Sequence, residues 1–574
     1  MTISFKLIYS LDLKLLCSIS IPAQLALPAW AFAQTLPDAG ILQQQIDRDR
    51  KQALPPAALP SQAARPTEAK PPQGLTLEVK RFKFVGSSLL PDQTVAAAVA
   101  GFLNRPIDFS QLQEAAATAA NRYRDAGWVV RAYIPEQDFV DGQVTIQIVE
   151  AVFGKLVQDG PASARIPPAL IERIVGAQLK PGDRIKTDAI DRAILLANDL
   201  AGITATGSLQ EGGQDSQSDL LVKTVDLAAL QGDASLDNLG SRSTGSQRVS
   251  ANLSANSLLN RGELLTANAI ATAGSKYLRL AAAMPLGGDG LRFGLNASRL
   301  DYRVILPEFS EIDPHGNATA YGPDARYPII RSRLKNLYLN LAVDRKRYDN
   351  FGAGSPSTAY GNRSITWGLA GNTYDEWIGG GTNSANLSFT SGQIDLNGSP
   401  NQEVDAKTTQ TAGSYRKLRY ALSRQQILSK SFSLAVAWSG QWAAKNLDSS
   451  EKFLLGGGSG IRAYPSGEGS GTSGNMANVD LSWQLPSGFG LTGFYDIGVI
   501  KINADHNYPG ASALNGYRLA GAGLTLTRQF QAGFNVKATW ARRIGDNPNP
   551  TATGKDQDGT RHINRFWLSS SISF

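Results

Sequence analysis

The chain has 574 residues, more than one ordinary domain needs. Its 56 Lys and Arg outnumber 49 Asp and Glu by only seven, and the excess is spread out, with no basic cluster interleaved with aromatics, which argues against a nucleic-acid partner. With three histidines the sequence is also poor in the usual general bases and metal ligands, so neither a catalytic centre nor a bound cofactor is expected.

The N-terminus has the features of a secretory signal over residues 1–33. Lys6 and Lys14 supply positive charge, and 15–33 is largely apolar despite Pro22 and Pro28. Ala31 and Ala33 fit the small-x-small cleavage pattern, which makes Gln34 the first mature residue. The single cysteine, Cys17, lies inside the signal, so disulfides and Cys-ligated metals are not expected afterwards. No other stretch approaches the roughly 18–20 apolar residues of a spanning helix. If the chain crosses a membrane, it must do so as a barrel.

Residues 34–53 hold a short, mostly polar helix over 38–52, with Ile41, Leu42 and Ile46 among Gln, Asp and Arg. Residues 54–74 carry Pro55, Pro56, Pro60, Pro66, Pro71 and Pro72, the composition of an extended, semi-rigid linker. Residues 75–151 then read as strand, helix, helix, strand, strand. Leu77, Val79, Phe82 and Phe84 open this unit; Val95, Val99 and Phe102 recur at helical spacing. A capping-box pattern at Ser110 and Gln113 starts a second helix with Leu112, Ala116, Ala119 and Tyr123 on one face, and Gly127 ends it. Asp141-Gly142 is a turn before the alternating Val144, Ile146 and Ile148. The same order repeats over 152–229, an internal repeat of about 75 residues.

From 230 to 574 helical periodicity gives way to alternation. Leu278, Leu280, Ala282, Met284 and Leu286 share one strand face; Gly287 to Gly290 turn the chain, and Leu291, Phe293, Leu295 and Ala297 alternate after it. Leu337 to Val343, Phe432 to Trp438 and Phe534 to Trp540 repeat the pattern. A soluble sandwich or solenoid would bury such faces on a second layer. Short connections (287–290, 486–490) alternating with long ones (303–331), the secretory signal, and alternation of Phe566, Leu568, Ile572 and Phe574 to the last residue favour an outer-membrane barrel. Its length suggests about 16 antiparallel strands. The terminal aromatic is similar to the strand that bacterial barrels present to their barrel-assembly machinery.

Two barrel segments stand apart. One, 447–464, is dense in glycine (Gly456, Gly457, Gly458, Gly460) and ends in Ile461, Arg462, Ala463 and Tyr464. In the other, strand period sends Phe494, Asp496 and Gly498 into the lumen while Tyr495, Ile497 and Val499 face lipid. An inward aspartate needs water or a cation, and Arg462 can serve if its loop folds inward.

These two segments resemble the (V/I)R(G/A)(Y/F) loop tip and the F-x-D-x-G strand of the two-partner-secretion outer-membrane transporters, the TpsB family of hemolysin secretion/activation proteins (ShlB, FhaC and HecB) in the POTRA-barrel superfamily. The stretches 133–151 and 235–245 are similar to that family's first POTRA ending and first barrel strand. The resemblance implies a plug-like helix, a linker, two periplasmic POTRA domains (β-α-α-β-β) and a transmembrane β-barrel of 16 strands. It also implies that Arg462 pairs with Asp496, with Tyr464 beside them, and that Ala463 and Thr472 are departures from a commoner glycine and a commoner acidic residue. The implied partners are an unfolded TpsA-type exoprotein with an N-terminal secretion domain and the outer-membrane lipids. In a wet lumen the Arg–Asp pair is expected to be worth about 1 kcal/mol. A barrel-assembly insertase of the same superfamily is the nearest rival reading, and a passive porin the next. An enzyme is disfavoured because Ser449, Ser450 and Glu451 form no recognisable triad with His315, His506 or His562.

Overall fold

The computed structural model describes residues 37–50 and 76–574. The signal segment with Ala31, Ala33 and Gln34, and the proline-rich stretch, lie outside the described residues. Helix α1 spans Ala39–Asp49, capped by the Asp38 carboxylate, which accepts from the Ile41 amide at 2.8 Å.

The first periplasmic unit contains β1 (Thr76–Glu78), β2 (Arg81–Val85), α2 (Asp92–Val99), β3 (Pro106–Asp108), α3 (Phe109–Asp125), β4 (Val130–Tyr133) and β5 (Gln143–Glu150). The main sheet has the order β2-β5-β4, with β5 parallel to β2, and β1 and β3 form a small side ladder. The capping box of α3 is Asp108 with Gln111, not Ser110 with Gln113: Asp108 accepts from the Gln111 amide at 2.8 Å and Gln111 returns the bond. Both pairs have the required spacing, but β3 ends at Asp108, so the chain becomes helical two residues earlier. The face of α3 with Leu112, Ala116, Ala119 and Tyr123 buries against Val144, Ile146 and Ile148 of β5. Each large side chain so buried contributes about 1.5–3 kcal/mol.

The second unit repeats this with β6 (Val152–Gln158), α4 (Pro168–Gln178), α5 (Thr187–Asn198), β7 (Ile203–Glu211) and β8 (Gln217–Asp226), in sheet order β6-β8-β7. The two units are joined by main-chain bonds, Val129 to the Ile185 carbonyl (3.1 Å) and Ile185 to the Ala151 carbonyl (3.0 Å). Glu150 completes the joint. Its buried carboxylate accepts from the Ser88 and Leu89 amides (2.7 and 2.8 Å) and faces Arg184 of the second unit at 3.5 Å.

Burial pushes the Glu150 carboxyl up, but the Ser88 and Leu89 bonds and Arg184 outweigh it, and its pKa is lowered. A lowered carboxylate pKa gives stability that is present above the ordinary glutamate range and is lost as pH falls through the folded value. Hydrogen exchange of segment 86–90 in the intact protein should therefore accelerate on acidification, beyond the intrinsic pH dependence. Glu150→Gln should abolish that dependence and cost about 1–2 kcal/mol locally.

Sixteen antiparallel strands close the barrel. They are β9 (Leu230–Asp237), β10 (Arg248–Asn256), β11 (Leu264–Ala271), β12 (Ser275–Leu286), β13 (Leu291–Arg303), β14 (His315–Arg331), β15 (Lys335–Gly352), β16 (Ser355–Asp375), β17 (Gly381–Asp395), β18 (Gly413–Ile427) and β19 (Phe432–Ala443). After two short strands, β20 (Phe453–Leu454) and β21 (Ser470–Gly471), come β22 (Ser473–Gln484), β23 (Phe489–Lys501), β24 (Gly516–Gln529), β25 (Phe534–Arg543) and β26 (Asn564–Ser573). Leu278, Leu280, Phe293, Leu295, Leu339 and Trp438 face outward and are exposed, as a lipid-facing wall requires.

The stretch 303–331 is not a long connection. Its C-terminal part is β14, and only 304–314 is loop. β14 pairs with β13 from Arg303–His315 onward, and Pro328 sits at a register shift against β15, where a missing N–H is tolerated. Of 235–245, only the residues through Asp237 belong to strand β9.

The seam between β26 and β9 is short, from Ser569–Asp237 to Ser573–Asp233. Gly232 and Phe574 extend it toward the periplasm by exchanging two 2.9 Å bonds. Toward the outside, the Asn238 amide still donates to the Leu568 carbonyl (3.2 Å), and its side chain extends the pairing by donating to the Phe566 carbonyl and accepting from the Leu568 amide. Phe566, Leu568, Ile572 and Phe574 all lie exposed on the outer face of this last strand.

Candidate functional site

The connection between β19 and β22, residues 444–472, folds back into the barrel. Its two legs pair through β20 and β21. Its base is held by Glu451, which is buried and accepts from Asn362 (2.7 Å) while pairing with Lys346 (3.3 Å) and Lys417. Asp448 accepts from the Tyr360 hydroxyl at 2.8 Å.

The glycines make the tip compact. Gly457 has φ +110°, and a Cβ on Gly460 would collide with the Leu455 carbonyl oxygen. Gly456 packs against Pro465, and Gly458 against Leu239 beyond the first barrel strand. Ile461, Ala463 and Tyr464 are fully buried, in one cluster with Leu455, Met476, Phe494 and Leu519. Gly498 lies flat beneath Ile461; a Cβ there would come within 2.9 Å of its Cδ1.

Arg462 stands at the centre. Its Nε and Nη2 donate to the two oxygens of Asp496 at 2.9 and 2.6 Å, a bidentate pair, and its own amide donates to the same carboxylate at 3.0 Å. Nη2 also reaches Asp480 at 2.6 Å, and the guanidinium lies 3.5 Å over the Phe494 ring. The ladder between β22 and β23 sets Asn478 opposite Asp496 and Asp480 opposite Phe494, so these four groups share one inner patch. Asn478 donates to Asp496 at 2.7 Å.

Asp496 is 0% exposed and Arg462 only 7%. The expectation of a wet, weakly coupled pair therefore needs correcting: the loop tip itself excludes water. A buried pair of this kind contributes little net stability, but losing one partner costs about 3–5 kcal/mol because the other charge is stranded. Tyr464 packs beside the pair under the Arg543 guanidinium, 4.8 Å from its ring centroid.

The sequence reading missed several partners. Alternation of Val479, Leu481 and Trp483 outward implies Asn478 and Asp480 inward, so that signal was present. Thr472, where the resemblance implies a commoner acidic residue, is buried and accepts from the Leu447 amide, while Asp480 supplies Arg462 with its second carboxylate. Trp567, inward between Phe566 and Leu568, donates its indole N–H to the Arg462 carbonyl at 2.7 Å, tying the loop tip to the last strand. Trp567→Phe keeps an aromatic side chain but removes that donor together with part of the indole's volume. It should weaken the tip by about 1 kcal/mol, read as faster hydrogen exchange at 461–464 with unchanged barrel heat-modifiability.

Helix α1 lies inside the barrel, across the lumen from β15 to β10. The Ala39 amide donates to Asn350 (2.9 Å), and Asp49 pairs with Arg248 (3.0 Å). Between these ends the helix rests on the inward loop. Arg48 donates to the Gly456 carbonyl at 2.8 Å, Gln44 to the Ser450 carbonyl, and Ser459 donates to Asp49.

The family described as haemolysin secretion/activation protein ShlB/FhaC/HecB matches residues 216–527, and the ShlB-type POTRA domain matches 77–151. The heme/hemopexin transporter protein HuxB of Haemophilus influenzae is 25% identical over 555 residues, covering 94% of this chain and 95% of that protein. The outer membrane transporter CdiB of Dickeya dadantii is 22% identical over 425 residues, 72% of this chain and 73% of its own. Among solved structures, CdiB from Escherichia coli superposes with a TM-score of 0.66 at 17% identity, covering 93% of this chain and 98% of that one. BamA from Haemophilus ducreyi, lacking POTRA domains 1–3, gives 0.53 at 15% identity, covering 87% and 100%.

Proposed function

The chain belongs to the haemolysin secretion/activation family of outer-membrane transporters, with its POTRA domains in the periplasm, and from that premise we propose that it threads an unfolded TpsA-type exoprotein through its barrel to the cell surface. The observation that carries this reading is the inward loop pinned by Arg462 to Asp496 and Asp480, with α1 docked on the same loop. A passive pore has no need of a lumen held by two separable elements.

The path begins in the periplasm. The open edge at β2, and that of β6 beyond Phe153, suit an extended client, because main-chain hydrogen bonds hold a strand with little demand on its sequence. The second unit is seated on the barrel rim, where Asp199 takes Arg331 at 2.8 and 2.9 Å and Asp191 takes Arg333 at 2.9 Å. A client bound there is delivered at the barrel mouth. Departure of α1 then opens the lumen, and folding outside prevents return, so no nucleotide is consumed.

The test is co-expression with a large exoprotein bearing an N-terminal secretion domain, encoded beside this chain. Export of the exoprotein and retention of its N-terminal fragment by the purified transporter are expected. Failure of both, with defective assembly of other barrels in a deletion strain, would instead favour an insertase.

A further inference from the structure

The outer wall of the barrel carries a groove of about 660 Å³ across β15 to β19. Its floor follows from the register: Leu337, Gly371, Ala385, Leu422 and Trp438 are consecutive cross-strand neighbours in one row. The two smallest residues stand in the middle of that row, so the wall is dented between Leu337 and Leu422. The adjoining row toward the extracellular side, Leu339, Leu369 and Leu387, is uniformly large and closes the dent above.

Two residues nearer the periplasm the row turns polar, with Lys335, Thr373, Asn383 and Arg424 side by side. This end is periplasmic because the adjacent turn carries Arg331 and Arg333, which hold the second POTRA unit. Arg424 is already committed, its guanidinium bidentate on Asp375 at 2.7 and 2.9 Å. Lys335 is exposed and makes no ion pair among the described residues. The rim therefore offers one uncommitted cation and, beside it, the exposed hydroxyl of Thr373. A second outer groove, about 500 Å³ and floored by Leu253, Ala267, Leu280 and Ala282, has no charged residue in its lining.

We propose that the first groove binds one glycerophospholipid of the inner leaflet, with an acyl chain in the dent over Gly371 and Ala385 and the phosphate held by Lys335 and Thr373. The order of the rows matches the order of the lipid. The headgroup plane lies at the periplasmic end, and the chain runs from it toward the bilayer centre. The step between rows, two residues at about 3.4 Å each, separates a phosphate from the start of its acyl chain. A cation at the rim of an apolar groove at headgroup height is complementary to an anionic phosphate. The bound lipid would abut the turn that seats the second POTRA unit.

Native mass spectrometry of the full-length protein, released from nanodiscs of phosphatidylethanolamine and phosphatidylglycerol, tests this. The wild type is expected to retain one phospholipid. Ala385→Leu, which fills the dent, and Lys335→Gln, which removes the cation, should each lower that retention severalfold. Ala282→Leu in the second groove should leave it unchanged. Heat-modifiable migration verifies that each barrel is folded, and Ala385→Val replaces the leucine variant if that one is not. Unchanged retention in either the filled-groove or the Lys335 variant overturns the proposal, as does an equal loss in Ala282→Leu.

Discussion

Arg462→Ala should leave a folded, heat-modifiable barrel that exports its partner at about a tenth of the normal level or less. The barrel survives because its stability resides in ladders that do not involve the loop. The loop tip does not survive. Removing the guanidinium strands Asp496, which is fully buried, and deprives Asp480 and the Phe494 ring of their shared cation. About 3–5 kcal/mol is lost from the seated arrangement, enough to shift the seated-to-unseated ratio by roughly a hundredfold or more. Asp496→Ala should act alike, and the double variant should be little worse than either, since the groups form one network. Arg462→Lys should fall between, because a single ammonium cannot span both oxygens of Asp496 and also reach Asp480. The exoprotein in the medium is the readout. Normal export by Arg462→Ala would remove the loop tip from the mechanism.

Deleting residues 38–52 should raise single-channel conductance severalfold while export continues. A helix with its side chains is about 10–12 Å across, and α1 spans the lumen from Asn350 to Arg248. Its polar attachments to the inward loop are Gln44 on the Ser450 carbonyl, about 0.5–1.5 kcal/mol net, and Arg48 on the Gly456 carbonyl and Ser459 on Asp49, about 1.5–3 kcal/mol each because one partner is charged. Such a seat, its ion pair of Asp49 with Arg248 only partly buried, is more readily released than the bidentate pair of the tip with its fully buried Asp496. Arg48→Ala with Asp49→Ala should accordingly give more frequent openings without the full increase in conductance. Planar-bilayer recording of the purified protein decides it. Unchanged conductance on deletion would mean that the helix is not what obstructs the pore.

The two expectations separate the loop from the helix. Loss of the tip should depress export, whereas loss of the helix should open the channel at rest.

What the sequence determined by itself was everything carried by a short period. Residues two apart in a strand share a face whatever the rest of the chain does, so Tyr495 and Val499 outward and Asp496 inward were legible, as were Phe566 and Leu568 on the last strand. Helical spacing likewise exposed the buried face of α3. Where a period was ambiguous or absent the reading slipped. The Ser110–Gln113 spacing points to a helix start that Asp108 and Gln111 in fact supply two residues earlier, and β14 looks like a loop in sequence because its extracellular part and prolines do not follow the lipid-imposed alternation.

Tertiary structure alone decided who meets whom. Alternation places Asp480 and Trp567 on the inner side of the wall, but only the tertiary structure and the depth of the inward loop bring them to Arg462. The packed loop likewise sets Glu451 among Lys346 and Asn362, register partners on β15 and β16, and Lys417 of β18. Register and closure are properties of the whole ladder. The burial that turned a nominally wet ion pair into a stranded-charge hazard is a property of the packed loop above it.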